Sequence, residues 1–92
     1  AITKNKFIKK FSHCDMRIKS DFELEIVENV RRIRKKLNKS QPYVAMVLDV
    51  SDGYVGQIES SKSPSMYSFD QLNMLAKDFE CSPKDFMPEQ SV

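Results

Sequence analysis

Between Ser40 and Ser60 the apolar and small residues fall at Val44, Ala45, Leu48, Val50, Val55 and Ile58. Val44, Ala45 and Leu48 share one helical face, Val55 and Ile58 share another, and Val50 sits in the bend where the two faces meet. Ser40 and Ser51 stand just before the two runs, where each hydroxyl can accept a hydrogen bond from an otherwise unpaired backbone N–H. Upstream, Ser20-Asp21-Phe22-Glu23 is a capping box, and Ile26, Val30, Ile33 and Leu37 follow it as one helical stripe that Asn38-Lys39-Ser40 ends. Acidic residues lead this helix and basic residues trail it, as the helix dipole favours. Downstream, Ser68-Phe69-Asp70-Gln71 is a second capping box, opening a helix with Phe69, Leu72, Leu75, Ala76 and Phe79 on one face. Ser82-Pro83-Lys84-Asp85 starts a short last helix carrying Phe86 and Met87, and Pro88 stops it. The pattern predicts an all-α, five-helix domain over residues 20–88, a fraying tail over 89–92 and an N-terminal extension over 1–19.

The extension does not follow the pattern. Phe7, Ile8, Phe11, Met16 and Ile18 lie among basic residues with neither helical spacing nor alternation. Residues 1–20 hold six basic side chains against Asp15 alone, a net +5, while residues 21–92 hold nine basic against twelve acidic, a net −3. Two readings stay open for this segment: an extension whose aromatic residues pack on the domain or on a second copy, and a basic arm reaching DNA phosphates or a minor groove. The overall net charge of +2 hides the asymmetry, so affinity for a polyanion must come from local clusters or from the extension.

At 92 residues the chain is read as one small domain with a single core. No apolar run approaches the length of a membrane span, and nothing reads as a signal peptide. Cys14 and Cys81 are far apart without a partner pattern, which reads as reduced thiols in a cytoplasmic protein. His13 beside Cys14 does not make a zinc site, because one His and two Cys fall short of the roughly four ligands zinc needs. The lone His has no nucleophile partner, no glycine-rich phosphate loop follows a strand, and no helix carries paired acids facing a pocket, so the chain reads as neither an enzyme nor a cofactor protein.

The two helices across one turn read as a helix-turn-helix, with Ala45 small where the second helix must approach. Gln41, Ala45, Val50-Ser51, Val55, Gln57-Ile58-Glu59 and Lys62 resemble the Cro and phage-repressor type of this motif, also called the Xre family. The likeness runs from about Ile26 to Phe86. It implies a lambda-repressor-like fold in which the first helix of the pair braces against the DNA backbone and the second lies in the major groove. It also implies an ion pair between Arg34 and Glu59. Asp49 stands where the family has Gly in the turn, and Ser61 where it tends to have Gly after the second helix.

Asp52, Gly53, Tyr54, Gly56 and Gln57 are expected to face outward, since Val55 and Ile58 must point inward. Gln57 is the expected base reader because its amide donates and accepts at once, matching the N6 and N7 edge of adenine. Asp52, Gly53 and Tyr54 complete the expected base-contacting set, with helix capping as the other reading of Asp52. Gly53 and Gly56, the only glycines in the chain, each cost about 1 kcal/mol in a helix relative to Ala, so something must approach closely there, either DNA or a packed neighbour. Gln41, Ser60, Ser61 and Lys62 are the expected phosphate contacts. The functional expectation is sequence-specific double-stranded DNA binding by a small transcriptional regulator, a repressor, acting as a homodimer. The alternative is a protein-interaction module, such as the antitoxin half of a toxin pair, for which the acidic domain surface, Asp52 and the basic, aromatic N-terminal extension leave room.

Overall fold

A computed structural model describes residues 19–92. Four α-helices follow one another: α1 Asp21–Lys36, α2 Gln41–Leu48, α3 Asp52–Glu59 and α4 Phe69–Phe79, with a 3-10 turn at Pro83–Phe86. The expected fifth helix is that single 3-10 turn. Pro83 opens it, Ser82 and Asp85 form its capping box, and the chain is extended again at Met87, so no second turn of helix is wound. The extension over residues 1–18 lies outside the described residues.

Each α-helix starts where its cap places it. The Ser20 hydroxyl accepts from the Glu23 N–H at 3.1 Å while the Glu23 carboxylate accepts from the Ser20 N–H at 2.9 Å. Ser68 and Gln71 repeat the arrangement at 3.1 and 2.9 Å. Ser40 accepts from the Tyr43 N–H and Ser51 from the Tyr54 N–H. Three helices end in left-handed residues that are not glycine: Asn38, Asp49 and Glu80, each with φ near 58°. Asp49 takes the conformation for which the family uses Gly, and the turn it makes lets the Val50 N–H reach the Ala45 carbonyl at 3.0 Å.

The core is one cluster to which every helix contributes: Ile26, Val27 and Val30 from α1, Val44, Ala45 and Leu48 from α2, Val55 and Ile58 from α3, Leu72, Leu75, Ala76 and Phe79 from α4, with Tyr67 and Phe86. Phe86 is fully buried and meets Phe79 edge to face at 6.2 Å. Two apolar stripes differ from expectation at their ends. On α1 the buried line runs through Val27 and Arg34, while Leu37, in the cap beyond the last helical turn, is exposed. On α4 Phe69 is 87% exposed, because it begins the first turn and projects past the body that covers Leu72 three residues on.

Candidate nucleic-acid interface

Helix α3 carries the outward positions. Val55 and Ile58 are fully buried and fix its rotation, which leaves Asp52, Gly53 and Gln57 exposed. Asp52 lies in the first turn behind the Ser51 cap, where the helix dipole favours a carboxylate. Gly53 has open space around it: a Cβ placed there would have nothing within 4 Å. At Gly56 a Cβ would meet the Gln41 Oε1 at 3.7 Å, ordinary contact. Neither glycine has a positive φ, so backbone geometry does not require them.

Tyr54 does not face outward as expected. It packs against the core cluster and its hydroxyl donates to the Met66 carbonyl at 3.2 Å, so it braces α3 against the loop that follows. The N-terminal part of α3 therefore presents a narrower surface than the sequence implied.

Behind α3, Arg34 and Glu59 meet in a two-pronged pair, Nε to Oε2 and Nη2 to Oε1, both at 2.9 Å. The side chains are only 8% and 5% exposed. Arg34 spends a third donor, Nη1, on the Lys39 carbonyl at 2.8 Å, which ties the α1–α2 connection to the same knot. Gln41, expected at a phosphate, turns its amide inward instead: Nε2 donates to Glu59 Oε1 at 2.9 Å. Arg31 completes the group with its Nε at 3.8 Å from Glu59. One carboxylate thus joins the C-terminal end of α3 to α1 and to the N-terminal end of α2.

The loop after α3 holds Ser60, Ser61 and Lys62. Ser61 and Lys62 are exposed, whereas Ser60 is half-buried and its hydroxyl accepts from the Lys62 N–H at 3.1 Å. The Ser65 hydroxyl donates back to Gln57 Oε1 at 3.2 Å, so the amide of this exposed α3 side chain already has one partner.

Lys19 and Ser65 were missed by sequence reasoning. Lys19 falls in the basic extension by composition, yet it is 5% exposed. Its ammonium donates to the carbonyls of Gln57 at 3.4 Å, Ser60 at 2.6 Å and Ser63. Burial pushes the ammonium below its ordinary pKa, and the Glu23 carboxylate pushes it back up. The available signal was position: Lys19 immediately precedes a helix cap and so starts on the folded body. A second lysine, Lys39, bonds Tyr43 Oη at 3.1 Å and Asp78 at 3.0 Å, and Tyr43 Oη donates to the same carboxylate at 2.9 Å. These partners hold Lys39 above its ordinary pKa and clip α2 to α4.

Among the described residues no group of three His, Cys, Asp or Glu is placed to hold a metal ion, and no helix is long and apolar enough to cross a membrane. The Cys81 thiol is free, pushed above its ordinary pKa by burial and by Asp85.

The arrangement is a short helix held at both ends, presenting a polar amide and a bare glycine over a hydroxyl-rich loop. Its two-helix geometry agrees with the family comparison, in which a helix-turn-helix model matches residues 30–86. The chain belongs to this helix-turn-helix family, of the Xre and lambda-repressor type. No curated protein and no solved structure matches it.

Proposed function

We infer that this protein binds duplex DNA in a sequence-specific way and regulates transcription, as a repressor whose bound copy occludes a promoter. The observation that carries the reading is Gly53: an exposed helical glycine, with nothing near its missing Cβ and no positive φ to justify it, beside the amide of Gln57. This glycine weakens the helix although the fold does not need it, and close approach of a base edge or sugar-phosphate chain accounts for it. In this reading α3 enters the major groove, Gln57 reads a base with Asp52 and Gly53 flanking it, and Tyr54 supports the helix from behind. Ser60, Ser61 and Lys62 meet the backbone with the loop, and Gln41 contributes its helix-terminal N–H, its side chain being engaged with Glu59.

One eight-residue helix reads only a few base pairs, so two copies on a two-fold site give the useful discrimination, and the working form is a homodimer in the cytoplasm. The protein-interaction reading draws on other residues. Phe69 and Met46 are 87% and 66% exposed, apolar surface of the kind a protein partner covers. Selection of bound duplexes from a random pool tests the first reading: an enriched palindrome supports a dimeric DNA reader. Retention without sequence enrichment, together with the absence of a salt-dependent loss of affinity, overturns it in favour of the second.

A further inference from the structure

We propose that Lys19 is a positioning residue for base readout, locking the loop over residues 60–65 against the last turn of α3 so that this loop in turn aims the Gln57 amide. The inference rests on the reading of α3 as the DNA reader and adds a residue to it that does not itself touch DNA.

Three carbonyls converge at the C-terminal end of α3, from Gln57, Ser60 and Ser63. Helix ends of this polarity carry partial negative charge, and three such oxygens gathered in one place repel each other without a cation between them. An ammonium has three hydrogens and no acceptor, and Lys19 places one toward each oxygen from a site almost closed to water. The link from there to the reading face is continuous. Lys19 holds the Ser63 carbonyl, the Ser63 hydroxyl accepts from the Ser65 N–H at 3.2 Å, and the Ser65 hydroxyl bonds Gln57 Oε1 at 3.2 Å. The same clamp on Ser60 fixes the residue whose hydroxyl holds the Lys62 N–H. Without the ammonium the loop loses its attachment to α3, and Gln57 regains rotamers that it must give up on binding.

The variant Lys19→Met keeps the length and apolar stem and removes the donors. Competition between the selected duplex and a scrambled one reads its effect: discrimination falls about fivefold, the ratio given by a coupling of roughly 1 kcal/mol between residues in one network. The slope of log affinity on log salt stays at the wild-type value, since a buried ammonium neutralises no phosphate. Combining Lys19→Met with Gln57→Ala loses no more discrimination than Gln57→Ala alone. Unchanged discrimination in Lys19→Met, or a salt slope lowered by about one, overturns the proposal. Should Lys19→Met fail to fold, Ser65→Ala decides the matter, because it removes one half-buried hydroxyl from the same relay. Loss of discrimination supports the relay and full discrimination overturns it. A wild-type protein that binds no duplex overturns the DNA reading itself, whereas a wild type that discriminates beside variants that do so equally well overturns only the role of Lys19.

Discussion

Arg34 lies within a run of basic residues, and it is the one whose side chain is buried against the Glu59 carboxylate that Gln41 also holds and that the more exposed Arg31 approaches. Removing Arg34 leaves the buried Glu59 carboxylate with only the neutral Gln41 amide and the more distant Arg31. Arg34→Ala is therefore expected to destabilise the protein by about 3–5 kcal/mol, while Lys35→Ala, one position along on the exposed side, leaves the melting temperature nearly unchanged. Equal thermal shifts would show that the pair carries no structural weight. Tyr67 makes the opposite case. Its ring is buried, and among the described residues its hydroxyl has no hydrogen-bond partner. An unpaired buried hydroxyl costs about 1–3 kcal/mol, so Tyr67→Phe should raise the melting temperature. The same burial, with the Glu59 charge, pushes the phenol well above its ordinary value near 10. The sign follows from linkage: the folded state keeps its proton where the unfolded state loses it, so stability falls as pH rises above about 10. Tyr67→Phe should flatten that alkaline fall in urea titrations at several pH values, and an unaltered alkaline limb would remove Tyr67 as its cause.

At the scale of elements, the caps were legible, as was the left-handed turn at Asp49, and the left-handed end at Glu80 was not. A Ser with Glu or Gln three residues on is a local device whose bonds depend only on nearby backbone, which is why α1 and α4 begin where the sequence places them. Glu80 offers no such sign, since a long acidic residue is not one that favours φ near 58°. Glu80→Gly should accordingly stabilise the protein by about 0.5–1 kcal/mol, the left-handed strain it relieves less the entropy a glycine gives up. Gly53 inverts the sign for function. Gly53→Ala should stabilise α3 by up to about 1 kcal/mol, because the new methyl meets nothing, and should weaken binding to the selected duplex. Thermal unfolding and duplex titration of one preparation measure both. A stabilised variant with undiminished affinity would mean that nothing approaches Gly53 closely.

For the whole molecule, affinity and specificity should separate. Lys62→Ala is expected to weaken every duplex alike and to lower the salt slope by about one, as the loss of a single phosphate contact does. Gln57→Ala should cost about 1–3 kcal/mol on the selected site and little on unrelated duplexes, with the fold intact because Gln57 lies outside the core. If Gln57→Ala retains full preference, α3 is not the reader and the protein-interaction reading moves ahead. The partition follows from the architecture: the Glu59 bonds and the Lys19 contacts both hold the C-terminal end of α3, so single outward side chains can be removed without moving the helix.

Helix spacing, caps, the two-helix unit and the inward faces of α2 and α3 were decided by the sequence itself, because each depends on residues within a few positions of one another. The tertiary structure alone decided which charges are buried and which polar groups are already engaged. Arg34 and Lys35 are neighbours in one basic run that only the family resemblance separates in sequence, and the physical difference between them is the position of Glu59, 25 residues from Arg34. Gln41 and Tyr54 look free in sequence, but packing brings Glu59 and the Met66 carbonyl within reach and consumes their hydrogen-bonding capacity. Lys19 belongs to a basic segment by every local measure, and becomes a buried clamp because three carbonyls from residues 57, 60 and 63 meet where the chain enters the fold. Local pattern sets where a helix starts and which way it faces, whereas the partner of a polar group is set by distances across the chain that no local pattern encodes.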